Sequence, residues 1–379
     1  MTAFRLSAFY AAYFLVVGVH LPFWPLWLAD QGLSTADIGL ILGLGVGVKV
    51  IGNPLVAQVA DRRGDRKPLM VVLILAALAA MAAFALADGF WPILLVNLLF
   101  FAVWPAVMPL AESLALRAAQ EGATQYGRVR LWGSITFILT SVAGGRLLVD
   151  ASADRIYWMV LAGLAVTLAA CLVLPDRRQA GLTAGRWALG PLLRDRRFVL
   201  FLATCAAVQG SHGLYYGFAT LHWRAVGFGE DLIGALWAEG VIAEIALFAV
   251  GGWVLRRVGA MRLLYLSGLA AAVRWGATGL TDSLWVLVPM QALHAFTYGG
   301  AHLAAIHHMG TTVPATLSAS AQALYSAAVM GIGVGLALYV SGDLYAALGG
   351  GAFHAMAVMG AVGALLGWRL ARRSATESP

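Results

Sequence analysis

Residues 232–309 read LIGALWAEGVIAEIALFAVGGWVLRRVGAMRLLYLSGLAAAVRWGATGLTDSLWVLVPMQALHAFTYGGAHLAAIHHM. The stretch contains three apolar segments, each close to the ~20 residues that span a bilayer. Ionisable side chains nevertheless lie inside them: Glu239, Glu244, Arg274, His294 and His302. Such groups in hydrocarbon cost several kcal/mol unless they are paired or hydrated, so they mark functional sites. The most economical use of an acid, a base and imidazoles at that depth is to bind and release a proton together with a solute.

The composition of the whole chain indicates a membrane protein. Of its 379 residues, 61% are hydrophobic and 11% are charged, whereas a soluble domain has about a quarter charged residues. The net charge is +7, but nucleic acid is not an expected partner because the basic residues lie in short loops between apolar segments. Cys171 and Cys205 fall in separate apolar segments, which predicts neither a disulfide framework nor a metal site.

Twelve apolar segments are long enough to span a membrane. They lie at about 5–28, 37–59, 68–87, 91–116, 130–149, 155–174, 198–222, 232–255, 262–281, 284–308, 319–341 and 350–370. Most of the 25 Lys and Arg residues fall on the side of the N-terminus. By the positive-inside rule, both termini are expected in the cytoplasm of a multi-pass protein of the bacterial inner membrane.

The segments divide into two halves of six. We expect an N-terminal bundle at 1–174, a basic cytoplasmic linker at 175–197 and a C-terminal bundle at 198–379. A weak internal repeat supports this division, because Asp61-Arg62-Arg63-Gly64 and Arg256-Arg257-Val258-Gly259 occupy equivalent loops. The predicted fold class is therefore an all-α membrane protein with twelve transmembrane helices in two pseudo-symmetric six-helix bundles. Internal repeats of this kind are typical of secondary transporters, whose site lies at the repeat interface near the midplane.

This arrangement resembles the major facilitator superfamily. Its loop signature after span two is Gly-x-x-x-Asp-(Arg/Lys)-x-Gly-Arg-(Arg/Lys). The chain has Ala57-Gln58-Val59-Ala60-Asp61-Arg62-Arg63-Gly64-Asp65-Arg66, which departs at Ala57 and Asp65. The resemblance implies that Asp61 and Arg62 belong to a cytoplasmic latch.

Further motifs resemble the phenylpropionic-acid permease group within that superfamily. They are Leu21-Pro22-Phe23-Trp24-Pro25, Tyr126-Gly127-Arg128-Val129-Arg130-Leu131-Trp132-Gly133-Ser134, Tyr215-Tyr216-Gly217-Phe218, Val273-Arg274-Trp275-Gly276 and His302-Leu303-Ala304-Ala305. The resemblance runs in order from span one to span eleven and extends, more distantly, to the lactose and nucleoside proton symporters. It implies uptake of a small solute by proton symport, with an aromatic acid as the carried-over substrate.

Helical periodicity independently predicts substrate-binding residues. Polar and aromatic side chains fall at helical spacing in several spans and would line one cavity between the halves. The set comprises Tyr13, His20, Trp24, Lys49, Asn53, Gln209, His212, Tyr216, Trp237, Tyr298, Gln322 and Tyr325. Aromatic walls with a few polar groups suit a small organic ligand. We expect Lys49 or Arg274 to receive an anionic substrate group; Lys49 could instead pair with Glu239 or Glu244.

Depth along the spans predicts the proton-coupling residues. Glu244, Arg274 and His294 each lie about ten to twelve residues into their spans, and therefore at nearly the same level. We expect Glu244 and Arg274 to form a buried pair that protonation or a substrate carboxylate can separate, with His294 in support and His302 nearer the cytoplasm. The lactose-type resemblance implies the same, with an acid, an arginine and a histidine on spans eight to ten. A purely structural ion pair is the alternative.

Gate residues are predicted near the two membrane faces. Glu112 is expected to pair with Arg128 or Arg130 at an inner gate, and Glu239 to serve as an outer-gate acid. The sequence carries no HExxH motif, no P-loop and no suitable Gly-x-Ser-x-Gly turn, so an enzyme is not expected.

The function predicted from the sequence is therefore proton-coupled symport of a small organic acid, such as phenylpropionate, by alternating access. The expected partners are the solute, protons and the lipid bilayer, and the protein is expected to be a monomer. No cofactor is expected, because the proton gradient supplies the energy. The alternatives are a nucleoside, sugar or siderophore-like cargo in the same fold, a proton/drug efflux antiporter and an intramembrane enzyme.

Overall fold

The computed structural model describes residues 1–175 and 189–375, except for the side chains of Asp61, Ala315 and residues 373–375. Every regular element within these ranges is helical. The α-helices of the first part are α1 (Thr2–Asp30), α2 (Thr35–Arg63), α3 (Arg66–Ala83), α4 (Phe90–Val103), α5 (Val107–Gln120), α6 (Tyr126–Leu148) and α7 (Asp154–Leu172). Those of the second part are α8 (Leu189–Arg194), α9 (Arg196–Gly210), α10 (Gly213–Ala225), α11 (Glu230–Val258), α12 (Ala260–Thr278), α13 (Leu284–Ala292), α14 (Ala301–Thr312), α15 (Ser318–Tyr325), α16 (Val334–Leu348) and α17 (Phe353–Ala375).

The predicted all-α membrane class is confirmed. Nine helical stretches in the described ranges are long and apolar enough to cross a membrane. One of them, Ser318–Arg372, has 55 residues and holds α16 and α17 on either side of a 3₁₀ turn. Two predicted segments outside the nine coincide with α12 and with the α13–α14 stretch. Each of the twelve predicted segments therefore overlaps helix.

Contacts divide the chain into two compact units. The first unit comprises Met1–Gly185 with Gly227–Ala238, and the second comprises Arg186–Val226 with Glu239–Pro379. This differs from the predicted bundle at 198–379, because the start of α11 packs within the first unit. The predicted linker at 175–197 is described only in part, since residues 176–188 lie outside the described ranges and α8 follows them.

Glycine explains why the start of α11 joins the first unit. A Cβ on Gly234 would overlap the Ser141 carbonyl of α6, and a Cβ on Gly145 of α6 would overlap the Glu230 carbonyl. The two backbones can approach this closely only because both positions lack a side chain, which is the usual basis of close helix contacts in membranes.

In the first unit, helix α1 contains Pro22 and Pro25. Proline has no backbone N–H, so Pro22 leaves the carbonyl of Gly18 without its partner along the helix. The hydroxyl of Ser141 donates to that carbonyl at 3.2 Å. A Cβ on Gly18 would approach the carbonyl oxygen of Phe137 at 3.0 Å. This interaction ties the proline-containing part of α1, which carries His20 and Trp24, to α6.

In the second unit, three interruptions of regular α-helix position the polar side chains. Ser211 and His212 separate α9 from α10. A π-helical turn at Ala295–Gly300 joins α13 to α14, and another at Ser326–Gly333 joins α15 to α16. Such wider turns are rare overall, but those that occur are often found at functional sites.

The close packing of α12 against α17 predicts opposite effects of two glycine substitutions on α12. A Cβ on Gly268 would overlap the backbone of Ala364, whereas a Cβ on Gly276 would meet only the Cβ of Ala357 at 3.9 Å. We expect Gly268→Ala to lower the free energy of unfolding by about 1–3 kcal/mol through overpacking. Gly276→Ala should raise it by about 0.5–1 kcal/mol, because alanine favours helix.

Chemical denaturation in detergent micelles measures both changes. The Gly276→Ala variant is the matched control, since it adds the same methyl group to the same helix. Equal stability of the two variants would contradict the close backbone contact of α12 with α17.

Candidate substrate and proton-coupling residues

Arg274 on α12 is the centre of a polar cluster in the second unit. Its side chain is fully buried. Nη1 donates to Nδ1 of His294 and to Oγ1 of Thr297, both at 3.0 Å, and Nη2 donates to Oε1 of Gln291 at 2.8 Å. His212 joins the group through a 3.0 Å contact of its Nε2 with Oγ1 of Thr297. These five residues are called the Arg274 cluster below.

Two aromatic rings hold the guanidinium of Arg274. Its Cζ lies 4.2 Å from the ring centroid of Trp275 and 4.8 Å from that of Tyr215. Cation–π attraction is strongest where the cation is desolvated, as it is here. The indole N–H of Trp275 donates to Oγ of Ser211 at 2.9 Å, and that hydroxyl donates to the Val208 carbonyl at 2.7 Å. The break between α9 and α10 thus orients the ring that packs on Arg274.

Donor and acceptor chemistry assigns the tautomer of His294. A guanidinium can only donate, so Nδ1 of His294 must accept. The ring is therefore neutral, with its proton on Nε2. Nε2 lies 3.7 Å from Oε2 of Glu244, whose side chain is 18% exposed. His294 thus stands between the buried cation and the carboxylate.

The predicted pair of Glu244 and Arg274 is arranged differently from the expectation. The structure brings both residues together with His294, and the imidazole connects them. Glycine makes this possible, because Gly240 on α11 leaves room for the His294 ring and Gly299 leaves room for the Glu244 side chain. Glu239 lies on α11, little more than one helical turn before Glu244, and is half-buried. Its charge acts on Arg274.

Aromatic stacking extends this cluster along α13 and α14. The rings of His294 and Tyr298 stack at 5.3 Å, and those of Tyr298 and His302 stack at 6.2 Å. Nδ1 of His302 lies 3.4 Å from the hydroxyl of Tyr325. The four-residue spacing therefore persists through the π-helical turn as a continuous stack.

The remaining predicted residues of the second unit lie in two places. His212 stacks on Tyr216 at 5.5 Å, and Nε2 of Gln209 donates to the carbonyl of Tyr298 at 3.2 Å. Tyr216 and Gln209 thus adjoin the Arg274 cluster, to which His212 belongs. Gln322 lies apart from it, because its exposed side chain meets Oγ of Ser318 on its own helix at 3.5 Å.

The first unit holds a cluster of aromatic rings around α1. His20 stacks on Trp24 at 5.1 Å and on Phe100 at 5.4 Å, and Tyr13 stacks on Trp104 at 4.3 Å. These five residues are called the aromatic cluster below. Within the described part of the chain, Nε2 of His20 and Nε1 of Trp24 are buried without a hydrogen-bond partner. Apolar ring faces with a few unused polar atoms suit a small aromatic ligand.

Lys49 and Asn53 lie one helical turn apart on α2 and are half-buried. A Cβ on Gly45, one turn before Lys49, would contact Phe101 at 3.0 Å, and the Phe101 ring lies 5.7 Å from His20. Lys49 is therefore near the level of the aromatic cluster. No hydrogen-bond or ion-pair partner of the Lys49 ammonium is present among the described residues, and Oδ1 of Asn53 likewise lacks one there. A buried ammonium without a partner among the described residues is suited to bind an anionic group of a substrate.

The other predicted residues of the first unit lie on α2, α5, α6 and the start of α11. Trp237 is buried at the start of α11. Glu112 and Arg130 interact electrostatically, and Cζ of Arg130 lies 4.6 Å above the Phe14 ring. Arg128 is exposed. The exposed side chain of Arg62 ends α2, and the side chain of Asp61 lies outside the described residues.

Gln291, Thr297, Tyr215 and Trp275 were not among the predicted site residues, although all four contact Arg274. A signal for two of them is present in the sequence. Gln291, His294 and Thr297 are spaced three residues apart in an apolar segment, which places them on one helical face. The four-residue spacing from His294 to His302, on which the predicted set depends, does not include Gln291 or Thr297.

Comparisons with known proteins agree on the family. The family model described as "MFS_1 like family" matches residues 3–355. The chain is 34% identical over 354 residues to the "Probable 3-phenylpropionic acid transporter" of Escherichia coli (strain K12), across 92% of this chain and 93% of the relative. It is 31% identical over 353 residues to the "Maltose permease" of Geobacillus stearothermophilus, across 89% of this chain and 86% of the relative.

The fold of this chain is also similar to that of a transporter of known structure. The crystal structure of the nucleoside transporter NupG matches with a TM-score of 0.84 and 16% identity, and the match covers 100% of both chains. At that identity the likeness shows the fold alone. The family match over most of the chain identifies a transporter rather than an enzyme. The chain belongs to the MFS_1 like family of major facilitator transporters.

Proposed function

We propose that this transporter takes up a small organic acid together with a proton, by alternating access and with the proton gradient as its energy source. The proposed setting is the bacterial inner membrane, with a monomer whose termini both face the cytoplasm. The observation that carries the proposal is the arrangement of Glu244, neutral His294 and fully buried Arg274 in the second unit.

That arrangement can couple a proton to a conformational change. Oε2 of Glu244 lies 3.7 Å from Nε2 of His294, the ring nitrogen to which the tautomer assignment gives the hydrogen. Binding a proton neutralises the carboxylate and removes its attraction for the cationic cluster. Because separating buried opposite charges is costly, the neutral form of Glu244 lets the cluster rearrange more easily than the charged form.

The first unit supports an aromatic acid as the substrate. Lys49 presents a cation with no partner among the described residues, near the level of the aromatic cluster. A carboxylate would satisfy Lys49, and a phenyl ring would pack against the rings of the cluster. The relative from Escherichia coli carries the name of a phenylpropionic acid transporter, which agrees with this chemistry.

Uptake into proteoliposomes tests the proposal. Purified protein is reconstituted into vesicles with an alkaline interior, and the initial uptake of labelled 3-phenylpropionate is measured. Protein-free vesicles are essential as a control, because the protonated acid crosses lipid by itself. Protein-dependent uptake that collapses with a protonophore is expected. Protein-dependent uptake that ignores the pH gradient would contradict proton coupling.

A sugar is the second candidate cargo, because the maltose permease of Geobacillus stearothermophilus is 31% identical to this chain. A thermal-shift comparison of phenylpropionate and maltose in detergent separates the two, since a ligand of the folded state raises its stability. Stabilisation by maltose alone would overturn the acid assignment.

Lys49→Gln tests the anionic contact in the substrate. We expect the variant to bind phenylpropionate at least about tenfold more weakly, because a charge-assisted hydrogen bond is worth about 1.5–3 kcal/mol. Binding of the neutral analogue 3-phenylpropanol should change little. Competition against labelled substrate measures both affinities. Equal losses for the acid and the alcohol would show that Lys49 does not contact the carboxylate.

A further inference from the structure

A chain of hydrogen bonds connects His294 to the break between α9 and α10. Nη1 of Arg274 contacts Nδ1 of His294 and Oγ1 of Thr297, both at 3.0 Å. Oγ1 of Thr297 contacts Nε2 of His212 at 3.0 Å, and Nδ1 of His212 contacts the carbonyl of Gln209 at 3.1 Å. Thr297, His212 and Arg274 are all essentially inaccessible to solvent.

With His212 neutral, donor and acceptor chemistry fixes the direction of every bond in this chain. The Gln209 carbonyl can only accept, so Nδ1 of His212 carries a proton. Because Nη1 of Arg274 donates to the Thr297 oxygen, the hydroxyl hydrogen of Thr297 is free to point to Nε2 of His212, which accepts it in the neutral ring. Both Nη1 protons of Arg274 are thereby used, one on Thr297 and one on His294.

This arrangement restricts where an incoming proton can bind. Nε2 of His294 already carries a hydrogen, so a second proton could bind only at Nδ1. That atom is occupied by the bond from Arg274, and Thr297 holds the other Nη1 proton so that the guanidinium cannot turn away. The carboxylate of Glu244, with Oε2 3.7 Å from Nε2 of His294, is then the group beside the ring that can take up the proton.

We infer that Thr297 and His212 are positioning residues, which hold Arg274 so that His294 stays neutral and a proton entering this centre binds to the carboxylate of Glu244. The step is a simple addition, in which a proton from water converts the carboxylate into the neutral acid. The part of this inference that concerns transport rests on the proposed proton coupling. The part that concerns the protonation state of His294 is independent of it.

Charged and titratable side chains from α10, α11, α12, the break after α9 and the π-helical turn surround His294. Glu244 and Glu239 lie on α11, with Glu239 acting through Arg274, and Arg274 lies on α12. The ring of His212 lies 5.5 Å away at the break, that of Tyr215 lies 6.3 Å away on α10, and that of Tyr298 lies 5.3 Å away in the π-helical turn.

Nuclear magnetic resonance of histidine-labelled protein in detergent micelles tests the inference. The His294 signal is assigned by its loss in His294→Asn. In the unsubstituted protein, the ring nitrogens should report the neutral Nε2–H form throughout about pH 5 to 8. Thr297→Val keeps the side-chain shape and removes the hydroxyl. His294 should then take up a second proton within that range, an apparent shift of about one pH unit or more.

Thr297→Ser is the matched variant that restores the hydroxyl, and it should restore the neutral His294 signal. Thr204→Val controls for loss of a buried threonine, because Oγ1 of Thr204 donates only within its own helix, to the Leu200 carbonyl at 2.7 Å. His212→Phe provides a second route to the same result if Thr297→Val does not fold, since a phenyl ring has no acceptor for the Thr297 hydroxyl.

The possible outcomes separate this inference from the proposed function. His294 that stays neutral in both Thr297→Val and His212→Phe overturns the positioning role, whatever the transport data show. His294 that becomes charged in Thr297→Val but not in Thr297→Ser supports it. With that result, a shifted pH profile of substrate exchange in Thr297→Val extends the role to transport, and an unchanged profile overturns the part that assigns the coupled proton to Glu244.

Discussion

Glu244→Gln is expected to abolish accumulation of substrate against a gradient while retaining substrate exchange. Glutamine has the shape of the protonated acid, so the Arg274 cluster should hold its bound arrangement. Glutamine cannot take up and release a proton, however, so the pH gradient cannot drive transport through this residue. A gradient of one pH unit can drive about tenfold accumulation when one proton accompanies each carboxylate. After subtraction of uptake into protein-free vesicles, the variant should show no initial uptake driven by the pH gradient.

Proteoliposomes measure both processes, accumulation with an imposed pH gradient and exchange with substrate on both sides. Glu121→Gln is a suitable control, because Glu121 is exposed and its carboxylate forms an i,i+4 ion pair with Arg117 at 2.9 Å. If the protein-dependent initial uptake of Glu244→Gln still responds to the pH gradient as in the unsubstituted protein, the proton is carried by another group.

Arg274→Met is expected to destabilise the protein and to eliminate transport. The substitution leaves Nδ1 of His294, Oγ1 of Thr297 and Oε1 of Gln291 without the donors they have in the structure. A buried group that loses its partner costs about 1–3 kcal/mol. Because these groups share one cluster, we expect a total loss of about 3–5 kcal/mol rather than a simple sum.

Denaturant unfolding in micelles measures this loss, with Arg146→Met as the matched control. Arg146 forms a 3.3 Å ion pair with Asp231 within the first unit, and its side chain is 74% exposed. An exposed pair of this kind contributes about 1 kcal/mol or less. Similar losses in the two variants would show that Arg274 does not organise the polar groups around it.

Arg274→Lys distinguishes the charge of Arg274 from its geometry. A lysine ammonium is a compact charge, whereas the guanidinium donates along fixed directions to His294, Thr297 and Gln291 at once. The lysine variant should therefore recover little of the lost stability. Full recovery would mean that charge alone holds the cluster together.

Much of the fold follows from the sequence, because apolar length and the placement of basic residues are local properties. The twelve predicted segments all overlap helix. Depth counting also selected Glu244, Arg274 and His294, since a helix rises by a constant ~1.5 Å per residue and neighbouring spans share the same membrane. These residues are in contact in the structure.

The partner of Arg274 could not be predicted in the same way. Which face of a span meets which neighbour depends on helix rotation, on the π-helical turn at Ala295–Gly300 and on the break at Ser211 and His212. None of these follows from a regular period of 3.6 residues. The expected pair of Glu244 and Arg274 is therefore replaced by an arrangement with His294 between them.

The sequence by itself determines that this chain is an all-helical membrane transporter with ionisable groups held at mid-depth, because hydropathy and charge act through the bilayer on each segment separately. Only the tertiary structure decides that Thr297 and His212 hold Arg274, that His294 is neutral and that the start of α11 packs with α6. The reason is physical. Hydrogen-bond direction and close backbone approach depend on atoms far apart in sequence, which only packing brings within 3 to 4 Å of one another.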